Sequence, residues 1–306
     1  MGIGIGKIPI VVFAAINYLT VSVWAVGYTN IYSSASFSWL DQYSFTGGLG
    51  GQACVPTSAV NALTYMQNSA PGYFGTNLTG GNYTSWLATG QTLAGPGYLN
   101  TTAANGTYLM RLPYALTQYI TTDKGFSNVT FSGMFAPNNS WADPYTKPSY
   151  ITAANPTTSF LIDSFKAGSA VMISIDYNLN GPGHEMTATG LSWVDTNNNN
   201  IIDFDENARL YVLDPLDPSV NYSGMDVTGA AKFTDGQVWY DSGINALKFN
   251  YLQYSGALPY ESGNYTARTG DWIDAAFAVS IPEPSICALL VLSGVGFAYV
   301  IRRRAL

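Results

Sequence analysis

Two residues of this chain are of the types that form the reacting pair of a thiol enzyme. Cys54 is the only cysteine outside the last twenty residues, and His184 is the only histidine among 306 residues. A thiol becomes a strong nucleophile when a nearby base takes its proton, and a third group must orient that base. Asp214, which follows a predicted strand, is the candidate for the third role. The alternative is a small buried cysteine beside an unrelated histidine.

The residues around Cys54 predict a loop that ends at the N-terminus of a helix. A glycine-rich run at 47–51 leads into the cysteine, and Pro56 suits a first helical turn because it lacks an N–H. Unpaired backbone N–H groups and the helix dipole at that end favour a thiolate. The apolar residues that follow have helical spacing: Val55, Ala59, Ala62, Leu63 and Met66.

The elements that must position His184 and Asp214 are predicted strands. Helices are expected first, from Cys54, over 109–120, and over 160–165 with Thr157 or Thr158 as the cap. The second part is rich in strands, and this order predicts an α+β fold with mainly antiparallel strands. His184 begins one strand and Asp214 ends the next, so both are expected at one edge of the sheet. Strands are predicted at 128–135, 170–177, 184–191, 208–213, 232–240, 246–254 and 272–280.

Taken together, these segments resemble the papain-like cysteine peptidases, and most closely the group that processes bacteriocins. The nucleophile motif is Cys54-Val55-Pro56-Thr57-Ser58, with small residues leading into a helix. The base motif is the strand 170–175 followed by Gly183-His184, and the third motif is Asp214-Pro215. The resemblance spans residues 36 to 218.

The resemblance implies a papain-like fold with an N-terminal nucleophile helix packed on an antiparallel sheet. It also implies a cysteine peptidase acting on protein or peptide substrates, in which Cys54 attacks, His184 transfers protons and Asp214 orients the histidine. Such enzymes use a glutamine upstream of the cysteine to bind the oxyanion. Gln42 is the favoured candidate and Gln52 is the alternative.

A second candidate site lies between the histidine strand and the aspartate strand. Residues 195–206 can be aligned with the twelve positions of an EF-hand calcium loop. Asn200 stands at the sixth position, where a residue that tolerates positive φ is needed. The sequence therefore predicts structural Ca²⁺ in a hairpin loop; the alternative is an ordinary Asn-rich turn. The predicted ligands are Asp195, Asn197, Asn199, the Ile201 carbonyl, Asp203 and Glu206.

Both ends of the chain have the character of targeting segments. Residues 1–25 carry Lys7 and an apolar run, which predicts a signal peptide cleaved after Ala25; a membrane anchor is the alternative. Residues 281–306 hold Pro282-Glu283-Pro284, the apolar run 286–301 and the basic cluster 302–304. This order resembles the bacterial PEP-CTERM sorting signal, with a plain stop-transfer anchor as the alternative.

The resemblance at the C-terminus implies a transmembrane helix and a transient inner-membrane anchor. It further implies that an exosortase-type enzyme recognises the tail and removes it. The product would be a secreted or cell-surface protein, with residues 26–280 as its peptidase domain.

Composition limits the class of function. The chain is 47% hydrophobic and 10% charged, with a formal net charge of −7. It can therefore build a sizeable core, and it lacks the basic character that nucleic-acid binding needs. Three functions remain: a secreted cell-surface cysteine peptidase, a non-catalytic surface or matrix protein on a papain-like scaffold, and a transglutaminase-like acyltransferase.

Overall fold

The computed structural model describes a large antiparallel sheet together with the helices packed on it. The described residues are 26–139, 141, 146–177, 183–216, 231–254 and 265–281. Within these ranges the strands are β1 (Val26–Ile31), β2 (Thr130–Phe135), β3 (Ile151–Ala153), β4 (Ala170–Asp176), β5 (Gly183–Asp195), β6 (Arg209–Leu213), β7 (Thr234–Asp241), β8 (Ala246–Tyr254) and β9 (Tyr265–Ser280).

Six of these strands close into a barrel. The strands β4 to β9 pair antiparallel in chain order, and β9 pairs back onto β4. The remaining strands extend the sheet outside the ring. Strand β1 pairs with the second half of β5, β2 pairs with β9, and the short β3 runs parallel to β2.

The barrel shows that the predicted α+β papain-like fold is wrong. The described chain is mostly sheet, with a closed six-stranded antiparallel barrel at its centre and few helices. Each of the six barrel strands had been expected, but not their closure into a ring. Closure depends on the pairing of β9 with β4, whose residues are about a hundred positions apart in the chain, and no local pattern encodes that pairing.

Strand β4 is buried on both faces, which explains the consecutive apolar residues at 170–173. Successive side chains of a strand point to opposite faces. Val171, Ile173 and Ile175 belong to the core inside the barrel. Ala170 and Met172 belong to a second core, between the barrel wall and the helices.

Helix α1 (Cys54–Ser69) packs against the outside of the barrel wall, whereas Leu161 and Phe165 of helix α5 (Thr158–Lys166) belong to the core inside the barrel. Helix α1 is the main helical contact of the wall, and most of its residues are buried. Two buried hydrogen bonds hold it to β5: Ser58 Oγ donates to the Glu185 carbonyl at 2.9 Å, and Thr187 Oγ1 donates to the Ser58 carbonyl at 3.0 Å. The helices are α1 (Cys54–Ser69), α2 (Pro71–Phe74), α3 (Tyr83–Ala94), α4 (Arg111–Thr117) and α5 (Thr158–Lys166).

Local sequence signals predicted the positions of several of these elements correctly. Helix α1 begins at Cys54, and Thr157 caps α5 by accepting the Phe160 N–H at 3.2 Å. The helix predicted over 109–120 is divided into α4 and a π-helical turn, Gln118–Asp123. Strands β1 and β3 and helices α2 and α3 were not predicted. In β1 and α3 apolar residues are mixed with Gly, Thr and other polar residues without a clear period, and β3 and α2 are only three and four residues long.

The two predicted targeting segments, 1–25 and the tail beyond residue 281, lie outside the described residues. Among the helices that are described, none combines the length and the apolar content needed to span a membrane. The predicted transmembrane helix over 286–301 belongs to this tail and lies outside the described residues.

Candidate active site

Cys54 is the first residue of helix α1. A 3-10 turn, Gly50–Gln52, brings the chain to this point, and Ala53 occupies the N-cap position. The first helical bond runs from the Thr57 N–H to the Ala53 carbonyl at 3.0 Å. Pro56 has no N–H, so the donors left at this end are the backbone N–H groups of Cys54 and Val55. A thiolate on Cys54 is favoured at this position.

His184 lies near the start of β5, opposite Ile175 of β4, and is buried. Asp214 directly follows the last residue of β6, and it is also buried. Because β5 and β6 are antiparallel, the start of one and the end of the other lie at the same edge. His184 Nε2 lies 2.8 Å from Asp214 Oδ1.

Asp214 is fixed by its own backbone surroundings. Its Oδ1 also accepts the Leu216 N–H at 2.9 Å, so the chain after β6 turns around the carboxylate. With Nε2 of His184 directed to Asp214, Nδ1 is the nitrogen left for the thiol. The imidazole forms a hydrogen bond with Cys54. The structure thus brings together Cys54, His184 and Asp214.

The electrostatics of this group favour a thiolate and an imidazolium. Burial raises the pKa of the Cys54 thiol, but the His184 hydrogen bond and charge and the N–H groups of Glu185 and Val55 lower it, and the net pKa is below its ordinary value. Burial lowers the pKa of His184, but Asp214 and the hydrogen bond with Cys54 raise it well above its ordinary value. Each partner stabilises the charged form of the other.

A cavity of about 350 Å³ opens beside the thiol and the imidazole. Gly106 has a φ of +66° and approaches Gln52 so closely that a Cβ there would lie 2.8 Å from Gln52 Oε1. A neighbouring cavity shares the loop around Gly106 and continues to Arg111. The residues lining the first cavity are Gln52, Cys54, Val55, Asn105, Gly106, Thr107, Leu109, Asn138, Asn139, Ser174, Asp176, Gly183, His184, Glu185 and Asp274.

The two candidate glutamines occupy different places. Gln52 is partly exposed and lines the cavity next to Cys54. Gln42 is buried and is not among the residues that line this cavity. Its backbone N–H donates to the Pro215 carbonyl at 3.0 Å, and its side-chain Oε1 has no hydrogen-bond partner. Gln42 therefore supports the segment that carries Asp214.

No family model matches this chain, and no curated protein matches it.

The predicted calcium loop follows directly from the far end of β5. His184 and Asp195 are eleven residues apart on this strand, which corresponds to roughly 35 Å of extended chain. The loop is thus remote from the thiol. Within the described residues there is no group of three or more His, Cys, Asp or Glu side chains placed to hold a metal ion.

The backbone of this loop nevertheless fits a calcium loop that uses amide and carbonyl oxygens as well. The Asp195 carboxylate accepts the N–H of Asn199 at 3.2 Å and that of Asn200 at 2.9 Å. Asn200 has a φ of +58°, as its position in the alignment requires. Asp203 and Glu206 form a capping box around the short turn Phe204–Glu206.

The side chains of the loop also converge. The amide nitrogens of Asn197 and Asn199 donate to Asp203 Oδ2 at 2.7 and 2.8 Å. The oxygens of both amides accept backbone N–H groups: Asn197 Oδ1 accepts the Asn199 N–H at 3.0 Å, and Asn199 Oδ1 accepts the Ile201 N–H at 2.7 Å. The carboxylate of Glu206, the predicted last ligand, accepts from Trp193 Nε1 and from the Thr196 N–H, both at 2.7 Å. The predicted ligands are thus paired with N–H donors, and calcium binding stays a prediction.

Two further residues of the cavity were not identified from the sequence. Glu185 directly follows His184, and Asp274 lies within the long strand β9; both are buried. A signal was available, because carboxylates rarely occur at buried strand positions without a function or a partner.

Proposed function

We propose that this chain is an exported cysteine peptidase that cleaves peptide bonds with Cys54, His184 and Asp214. The observation that carries the proposal is the 2.8 Å contact between His184 and Asp214, with the imidazole hydrogen-bonded to a thiol at a helix N-terminus. A nucleophile, a base and an orienting group within hydrogen-bond reach are the arrangement that acyl transfer needs.

In the acylation step the Cys54 thiolate attacks the carbonyl carbon of the substrate, and a carbon–sulfur bond forms. The oxyanion that develops accepts hydrogen bonds from the Cys54 N–H and from the side-chain amide of Gln52, which lines the cavity. As the carbon–nitrogen bond breaks, the His184 imidazolium gives its proton to the leaving amine. The products are a thioester on Cys54 and a free amine.

In the deacylation step water takes the place of the amine. Neutral His184 accepts a proton from this water as the water oxygen attacks the thioester carbonyl. The carbon–sulfur bond breaks, a carboxylic acid leaves, and Cys54 returns to its thiolate form with a protonated His184. Asp214 accepts the hydrogen bond from His184 Nε2 and holds the ring in one orientation.

The extent of the cavity favours a polymeric substrate. Two neighbouring cavities share the loop around Gly106 and Asn138-Asn139, so the space beside Cys54 continues past the reacting atoms. Such an extended space suits a peptide chain bound on more than one side of the cleaved bond. Export and C-terminal sorting remain part of the proposal on the sequence pattern of the two ends.

The test is to compare the purified protein with its Cys54→Ala variant on casein and a peptide library. We expect peptide cleavage and iodoacetamide labelling at position 54 with the wild type, and neither with Cys54→Ala. A Cys287→Ala variant is the matched control, because it removes the other cysteine of the chain and should leave activity unchanged. Equal cleavage by the wild type and Cys54→Ala would refute the proposal.

Two other outcomes of this experiment would indicate a different function. Transfer of the acyl group to an added primary amine, at the expense of hydrolysis, would indicate an acyltransferase of the transglutaminase type. A Cys54 that resists every thiol-directed electrophile, with no cleavage, would indicate a non-catalytic surface protein.

A further inference from the structure

The cavity beside Cys54 has a wall of carboxylates. Asp176, Glu185 and Asp274 all line it, and among the described residues that line it none is a lysine or an arginine. The backbone N–H of Glu185 donates a hydrogen bond to the Cys54 sulfur. One residue of this acidic wall is therefore in direct contact with the thiol.

Two of these carboxylates are incompletely satisfied. Glu185 is 3% exposed and Asp274 is 8% exposed, yet Glu185 Oε2 and Asp274 Oδ1 have no hydrogen-bond partner. The Asp274 carboxylate also accepts a hydrogen bond from the Ser174 side chain, and its Oδ2 accepts a long one, 3.4 Å, from the Asn139 side chain. A buried acceptor without a donor is costly in free energy, so a ligand that supplies donors would be stabilised here.

Burial and neighbouring negative charges disfavour the ionised forms of these carboxylates, although the charge of His184 favours that of Glu185. Burial raises the pKa of Glu185 well above its ordinary value, and the neighbouring Cys54 and Asp274 add to this. Burial likewise raises the pKa of Asp274 to about 6. A positive charge placed between them would favour both ionised forms.

The geometry favours an organic cation over a metal ion. Within the described residues no three acidic, histidine or cysteine side chains are grouped closely enough to hold a metal. The cavity volume of about 350 Å³ is instead in the range of pockets for small organic groups. A guanidinium or an ammonium group carries several N–H donors and forms strong, charge-assisted bonds with carboxylates.

We propose that this pocket is the specificity subsite for a cationic side chain, an arginine or a lysine of the substrate next to the bond that Cys54 attacks. Glu185 and Asp274 are the residues that bind the charge. The reaction at this site rests on the proposed function, whereas binding of the cation does not.

The experiment compares two small probes of nearly equal shape, butylguanidinium and neutral butylurea. Binding of each to the purified protein is measured by isothermal titration calorimetry. We expect butylguanidinium to bind at least about tenfold more tightly than butylurea, since charge-assisted bonds are the stronger ones. Glu185→Gln and Asp274→Asn should each reduce this ratio, and the exposed Asp235→Asn should keep it. Equal binding of both probes to the wild type, or an unchanged ratio in both pocket variants, would overturn the proposal.

A second measurement places the bound probe and separates the two proposals. Butylguanidinium should slow the alkylation of wild-type Cys54 by iodoacetamide, and butylurea should not. Tight binding without protection of a reactive Cys54 would place the probe elsewhere and overturn the subsite. Selective binding that both pocket variants weaken, in a protein whose Cys54 is not alkylated, would keep the subsite and refute the peptidase.

Discussion

His184 Nε2 donates to Asp214 Oδ1 over 2.8 Å, and the side chains of both residues are almost fully buried. The two residues are thirty positions apart and belong to neighbouring antiparallel strands. Because Nε2 is hydrogen-bonded to the carboxylate, Nδ1 is the ring nitrogen left for Cys54 at the start of α1. This relationship determines which proton the imidazole can transfer, and the predictions about reactivity follow from it.

The first prediction concerns the pH dependence of thiol reactivity. The pKa of Cys54 is lowered, so its thiolate is lost only as the pH falls through a value below that of an ordinary thiol, about 8.5. The pKa of His184 is raised, so its proton is lost only as the pH rises well above about 6.5. Peptide cleavage should therefore be maximal at pH values between the lowered pKa of Cys54 and the raised pKa of His184.

The measurement is the rate of iodoacetamide alkylation of Cys54 against pH. We expect the midpoint to lie below about 8.5 in the wild type and to move upward in His184→Gln, where burial still raises the pKa of the thiol without a compensating charge. Identical profiles for the two proteins would contradict a thiolate–imidazolium pair.

The second prediction concerns Asp214. Asp214→Asn keeps an acceptor for the Leu216 N–H but removes the negative charge beside the imidazole. We expect kcat/KM for a peptide to fall about 100-fold and the free energy of unfolding to fall by about 1–3 kcal/mol. The assays are steady-state kinetics and urea denaturation.

A surface ion pair provides the control for that variant. Arg209 and Asp235 form an ion pair whose side chains are 46% and 39% exposed. Asp235→Asn should change neither kcat/KM nor stability by much, because exposed ion pairs contribute little. If Asp214→Asn changed kcat/KM and stability as little as Asp235→Asn, the orienting role of Asp214 would be refuted.

The third prediction separates the two glutamines. Gln52 lines the cavity and Gln42 is buried against the segment after β6. We expect Gln52→Ala to lower kcat by about 100-fold or more with little change in stability, as for loss of an oxyanion donor. Gln42→Ala should mainly lower the melting temperature. A large fall in kcat for Gln42→Ala, with kcat unchanged for Gln52→Ala, would indicate that Gln42 is the oxyanion donor.

The fourth prediction concerns calcium. A ligand that binds only the folded state raises its stability, so calcium should raise the melting temperature relative to excess chelator. Asp195→Ala should abolish this difference, whereas Asp205→Ala, an exposed neighbour outside the predicted ligand set, should retain it. Since the loop lies at the far end of β5 from His184, the alkylation rate of Cys54 should not depend on calcium. A melting temperature that is the same in calcium and in chelator would exclude the site.

Much of the candidate site was predictable because its signals are local. The glycine run, the cysteine and Pro56 together predict a helix N-terminus at Cys54, and α1 begins there. The pattern of neighbouring antiparallel strands predicts that His184 and Asp214 share an edge, and they do.

The acidic wall of the cavity was not predictable in the same way. Asp176, Glu185 and Asp274 come from three strands, and they meet only because β4 pairs with both β5 and β9. Likewise, the choice between Gln42 and Gln52 depends on which loop reaches the cavity, and spacing from the cysteine does not reveal this.

The sequence by itself determined the candidate residues Cys54, His184 and Asp214, the start of helix α1, most strands and the positive φ at Asn200. These features depend on residue type, on apolar period and on turn chemistry, all of which act over a few positions. Only the tertiary structure decided that the sheet closes into a barrel and that three carboxylates line one cavity next to Cys54. The physical reason is that closure and convergence depend on pairing between distant segments, which is set by packing of the whole core.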